Sequence, residues 1–159
     1  MECYEGATLI KTYKGILADG GQDRIRLKTN RGDIGYRIVK FQMISETTGT
    51  YDYGFVIKIF KVIQPDLGGG VFATATIDFT DGDLLAAGYI ENHENIQYPS
   101  SQSQIVFENE IFNQDIYITC KDIETGQNCN YYLELEQVKL NENESTMATL
   151  QSLRTVASK

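Results

Sequence analysis

Tryptophan is absent from this chain, histidine occurs once, proline twice and cysteine three times, and each scarcity narrows the chemistry open to it. A Ser–His–Asp or Cys–His arrangement would have to use His93 as its base. That residue stands in the polar stretch Glu91-Asn92-His93-Glu94-Asn95, with no apolar wall to tune it, and reads as a solvated loop histidine. Zinc sites draw on several Cys or His ligands, usually two in close register, which one histidine and three scattered cysteines do not supply. Lack of tryptophan removes the flat ring that most readily stacks on sugars. Tyr51, Tyr53, Tyr89 and Tyr98, in or beside expected loops, are left as platforms for a glycan or a single-stranded nucleic acid; core or interface packing is the plainer reading for most tyrosines. No apolar run approaches the roughly 18 residues of a membrane helix. The first residues hold no basic segment leading into an apolar run, so a reducing compartment and free thiols are expected for Cys3, Cys120 and Cys129. Cys120 and Cys129 flank an expected hairpin loop, which leaves a cross-strand disulfide as the alternative.

What is present is an acidic, tyrosine-rich chain of 159 residues with a net charge of -8. Its length suits one domain, 1–159, with an N-terminal arm at 1–7 and a helical tail at 143–159. Charge is unevenly spread. Residues 11–40 hold eight bases against three acids, a balance of +5, whereas 41–159 hold six bases against seventeen acids, a balance of -11. The whole chain is therefore not expected to bind nucleic acid, since phosphate contacts need a net basic face. The basic part suits an acidic neighbour, or is a solvated mixture of charges on strand exteriors.

Period-two alternation predicts strands at 8–17, 23–29, 34–45, 55–63, 74–79, 104–108, 115–121 and 131–140. In the third, Tyr36 and Ile38 share one face while Val39, Phe41 and Met43 share the other, so bulk on both faces predicts a central strand or an intersubunit contact. Phe55 to Ile63, apolar on both faces apart from Lys58 and Lys61, also reads as central. A phase break after Leu135 predicts a bulge near Gln137. Leu84 to Gly88 reads as a short helix capped by Thr80 or Asp81. The tail reads as a helix capped by Ser145 or Thr146, with Met147, Leu150 and Leu153 on one face. The expected architecture is all-β: an antiparallel sandwich of about eight strands, jelly-roll-like, with a short helix and a C-terminal helix.

Several motifs carry a bland and a sharp reading. Asp78, Asp81 and Asp83 crowd one loop and could offer oxygens to calcium, but an EF-hand register from Asp81 would place Leu85 and Asn92 at ligand positions; capping is simpler. Gly68-Gly69-Gly70 lacks the Lys-Ser/Thr and helix of a phosphate loop and reads as a flexible connection. Arg31-Gly32-Asp33 is ordinary turn chemistry, and Asn143-Glu144-Ser145 is a glycosylation sequon that matters only after secretion. A glycoside hydrolase would need a chosen pair of carboxylates, and nothing singles one out. No catalytic, cofactor-binding or metal-binding residue is nominated.

Five blocks are spread over most of the chain: Leu17 to Leu27 (LADGGQDRIRL), Gly35 to Phe41 (GYRIVKF), Ile111 to Tyr117 (IFNQDIY), Asn130 to Glu136 (NYYLELE) and Ala148 to Arg154 (ATLQSLR). With them the chain resembles a family of short proteins encoded by marine bacteriophages. The resemblance implies a non-enzymatic part of the virion, assembled in the host cytoplasm: a capsid-associated shell subunit, vertex or decoration protein. Its expected partners are other copies of itself and other virion proteins. The rival expectation is a tail or fibre module recognising a host-surface glycan; a glycan-hydrolysing enzyme comes last.

Overall fold

The computed structural model describes residues 9–29, 32–48, 52–93, 101–141, 143–144 and 146–150. Cys3, the 1–7 arm, Arg31, Tyr51, Tyr98, Ser145 and Leu153 lie outside the described residues. Among the described residues eight strands are formed: β1 (Ile10–Leu17), β2 (Gln22–Ile25), β3 (Ile34–Ser45), β4 (Tyr53–Phe60), β5 (Leu84–Asn92), β6 (Ser101–Val106), β7 (Ile116–Asp122) and β8 (Cys129–Lys139). They build a three-stranded sheet, β1-β8-β3, and a five-stranded sheet, β2-β7-β4-β5-β6. All six strand pairs are antiparallel. The sheets face each other across one apolar core that includes Tyr36, Phe55, Ile57, Ile118, Leu133 and Leu135. Among the described residues no helix is long and apolar enough to cross a membrane.

Two β-bulges decide which side chains enter that core. In β3, Ile38 opposes Leu135 and Lys40 opposes Glu134, leaving Val39 as the extra residue. Alternation therefore changes phase there: Tyr36, Ile38, Phe41 and Met43 are all buried in the core. The two bulky faces expected for this strand are one face, and the strand lies at an edge of its sheet, not at its centre. An extra residue shifts every later side chain by one position, which period-two counting cannot anticipate. No register shift falls at Gln137, the expected position; the break in β8's pattern is answered on its partner strand. In the second bulge, Ile59 opposes Ala86 and Phe60 opposes Leu84. Leu85 and Ala86 consequently both join the main core, while Leu84 and Ala87 pack outward with Phe60.

That second bulge lies in the segment expected to be a short helix, which is β5 instead. Leu84-Leu85-Ala86-Ala87-Gly88 shows no alternation because the bulge breaks it and because the core opposite residue 88 has no room for a side chain. A Cβ at Gly88 would meet Met43 Sδ at 2.5 Å and Phe41 Cε1 at 2.9 Å across the core. Asp81 does accept a local amide, from Asp83 at 2.9 Å, but this closes a turn into a strand. Conversely, 74–79, expected as a strand, is irregular. It belongs to a long connection, 61–83, that crosses the outer face of the five-stranded sheet. β4 is buried along its whole length: Phe55, Ile57 and Ile59 face the core, and Lys58 and Phe60 lie under the connection. The central placement expected for this strand holds.

Cys120 and Cys129 do not flank a hairpin, because β7 and β8 belong to different sheets. Both thiols are free and buried. The inter-sheet link is pinned by Asp122, whose carboxylate accepts the amides of Gly54, Glu124 and Gln127 at 3.0, 3.0 and 2.7 Å. Tyr131 also ties the layers: its hydroxyl donates to Asp23 of the opposite sheet at 3.0 Å. Its ring needs a glycine opposite, since a Cβ on Gly15 would stand 2.5 Å from the Tyr131 oxygen. Residues 143–144 and 146–150 are helical. Asn141 caps them, accepting the Glu144 amide at 2.8 Å while its side-chain amide donates to Glu144, so the cap lies upstream of the expected Ser145 or Thr146. Met147 and Leu150 are exposed.

Candidate functional site

The two outer faces of the sandwich differ. That of the five-stranded sheet is closed by the 61–83 strap. The strap is fastened by reciprocal bonds between Gln22 and the Gln64 backbone (2.8 and 3.3 Å), by the Phe72 amide on Gly20 O (2.8 Å), by the Lys61–Glu110 ion pair (2.7 Å), and by Phe79 set edge-on to Phe107 with centroids 5.5 Å apart. Its tip carries Gly68, Gly69 and Gly70 at φ of 127°, 65° and 81°, a left-handed run that glycine adopts without steric cost. The Asp66 carboxylate closes this tip by accepting the Gly68 and Gly70 amides.

Beneath the strap lies a cavity of about 240 Å³ lined by Lys58, Phe60, Thr74, Thr76, Asp78 and Asp81 among others. Lys58 is only 7% exposed. Its ammonium donates to Thr74 Oγ1 (3.1 Å) and Thr76 O (2.7 Å) and sits 5.7 Å from the Phe60 ring centroid; among the described residues no carboxylate comes within ion-pair distance of it. Burial pushes its pKa below the usual lysine range, only partly offset by Asp81. Asp78 is held below the usual carboxylate range by the hydroxyl and amide of Thr80, at 2.6 and 2.9 Å. Asp78 and Asp81 thus share a cavity, whereas Asp83 is buried elsewhere in the turn. An ammonium at the same cavity competes with any calcium ion, and among the described residues no set of three acidic, His or Cys side chains converges as a metal site. Lys58 was legible as a lysine inside an otherwise apolar run; that a strap would bury it was not.

The outer face of the three-stranded sheet is open. Ile10, Ile16 and Ile44 project from it, Ile44 being 61% exposed. Beside them stand Lys14, Arg37 and Lys40 on the flanking strands and Glu134 and Glu136 on central β8. Arg37 pairs with Glu136 (Nε–Oε2 2.6 Å), Tyr132 donates to Glu134 (2.8 Å), and Lys40 lies 6.0 Å from the Tyr132 ring centroid. Lys40, Gln42, Ile44, Asn130 and Tyr132 surround a hollow of about 400 Å³.

Of the other residues singled out by sequence, His93 and Tyr89 meet on the Glu91 carboxylate, and the rest take structural positions. His93 is part-exposed, with Nε2 3.5 Å from Glu91. Tyr53 is core, stacked on Phe55. Tyr89 donates to Glu91 at 2.6 Å and is pushed up to about 12, by burial first and then by that bond. Gly32 and Asp33 lie in the turn before β3. No protein-family model matches this chain, and no curated protein or solved structure is detectably similar to it.

Proposed function

We propose that this chain is a structural protein of a bacteriophage virion, capsid-associated as a shell subunit, vertex or decoration protein, and that it acts by docking onto further copies of itself and onto other virion proteins. The observation that carries this reading is the contrast between the two outer faces. The strap presents one base, Lys61, against three acids, Asp66, Asp78 and Asp81, a balance of -2, Asp83 being buried. The open face holds three bases, Lys14, Arg37 and Lys40, against Glu134 and Glu136, together with projecting isoleucines. The occupant of the open face is the strap face of a second copy. Such a head-to-tail contact closes into a ring when the rotation per subunit closes. Complementary charge sets register and speeds encounter, while the isoleucines supply most of the affinity.

Two further observations support the reading. The pairings β1-β8-β3 and β2-β7-β4-β5 support a jelly-roll reading, a fold used by viral capsid and lectin domains, while β6, paired with β5 instead of β3, counts against it. The proposed phage origin rests on the blocks resembling marine phage proteins, since a fold alone does not give an origin. The test is sedimentation of the purified chain over a range of protein and salt concentrations. Discrete oligomers are expected, weakening as the screening length falls from about 10 Å at 0.1 M to about 3 Å at 1 M salt, and lost in an Ile44→Asp, Lys40→Glu variant. A monomer throughout, or absence of the chain from purified particles by mass spectrometry, overturns the proposal.

A further inference from the structure

We infer that the cavity between the strap and the five-stranded sheet binds a neutral polyhydroxylated ligand of monosaccharide size, with Lys58, Asp78 and Asp81 as its polar contacts. A monomer carries the whole cavity; in the assembly proposed above a neighbouring copy and the ligand would compete for Asp78 and Asp81, so binding is tested on the monomer.

The argument starts from unused hydrogen-bonding capacity. A lysine ammonium has three donors, and Lys58 gives two of them to Thr74 and Thr76. The carboxylates of Asp78 and Asp81 receive the Thr80 and Asp83 groups on Oδ1, and their Oδ2 atoms take no bond from a described residue. One donor and two strong acceptors therefore line a single cavity. Neither sign of ion suits them: an anion meets two carboxylates, and a cation meets a buried ammonium. A sugar hydroxyl both donates and accepts, so adjacent hydroxyls reach from the buried Lys58 ammonium to an aspartate at the exposed mouth without adding charge beside that ammonium. Phe60 and Leu84 provide apolar wall for the C–H side of a ring. At about 240 Å³ the space falls just below the range of about 300–1,000 Å³ common for drug-sized ligands, which fits one sugar unit.

The experiment uses the full chain, ¹⁵N-labelled, with the methyl glycosides of glucose, galactose and mannose as probes, and glycine and inorganic phosphate as the zwitterionic and anionic comparisons. At least one glycoside is expected to shift amides of the 74–81 segment and of Lys58, and to show saturation transfer, at about 50 mM or below, the millimolar affinity of a single-sugar site. Lys58→Met and Asp81→Asn should each weaken that binding about tenfold or more, the loss of one charge-assisted hydrogen bond, with the thermal melt recording that the variant folds. Mapping on the wild-type chain decides the matter even if a variant fails to fold. No shift with any glycoside, shifts confined to another surface, or stronger binding of glycine or phosphate overturns the inference.

Discussion

Substituting Gly88 by alanine separates a packed strand from a helix by the sign of its effect. In a helix interior, glycine to alanine stabilises by about 1 kcal/mol. In β5 the new methyl group would lie 2.5 Å from Met43 Sδ and 2.9 Å from Phe41 Cε1, where ordinary contacts are about 3.5–4.0 Å. Both neighbours must retreat by roughly an ångström inside a close-packed core, an overpacking cost of about 1–3 kcal/mol. Met43 is 1% exposed, so Met43→Ala alone costs about 2–5 kcal/mol through the void it leaves. The double variant should cost less than the sum by about 1 kcal/mol or more, because the methyl on residue 88 fills part of the space Met43 vacates; contacting residues couple by about 0.5–3 kcal/mol. Urea unfolding of the four proteins measures each term from the midpoint and slope. Stabilisation by Gly88→Ala, or additivity within about 0.3 kcal/mol, would refute the placement of Gly88 against Met43 and with it the bulge that turns β5.

Asp115, 8% exposed, accepts the Leu27 and Lys28 amides at 2.8 and 2.9 Å and pairs with Arg24. Burial pushes its pKa up, but these bonds outweigh it and leave the group below the usual carboxylate range. Its stabilisation is therefore present above the unfolded value and lost as pH falls through the folded one; Asp115→Asn should cost about 2–4 kcal/mol near neutrality and flatten that acid dependence, and a variant as acid-sensitive as the wild type would sink the assignment. Tyr131→Phe should cost about 1.5–3 kcal/mol by removing the hydroxyl that reaches the Asp23 carboxylate across the sheets; an unchanged urea midpoint would exclude that bridge. Burial pushes Cys129 up to about 12 and Cys120 higher still, so peptide mapping after iodoacetamide treatment at about pH 8 should find both unmodified in the folded chain and alkylated in urea. Alkylation of either in the native protein contradicts their burial.

Sequence alone determined the class of fold and most of its elements, because alternation is a local property. A strand with one buried face reports itself in β7 and β8, and the run of β4, apolar apart from Lys58, announces a strand covered on both sides. Sheet connectivity is something no spacing could supply, since pairing partners such as β2 and β7 lie far apart in the chain. Tertiary structure decided three things, each for one reason: a side chain's direction depends on its neighbours in space. Val39 and Leu85 are extra residues relative to their partner strands, and each reverses the alternation after it, so β3 read as two-faced and β5 as a helix. Residues 74–79 alternate like a strand, yet find no partner strand and lie over Lys58 instead. That lysine becomes the floor of a cavity only because the strap passes above it, and burial of a charge by a distant segment leaves no trace in the residues beside it.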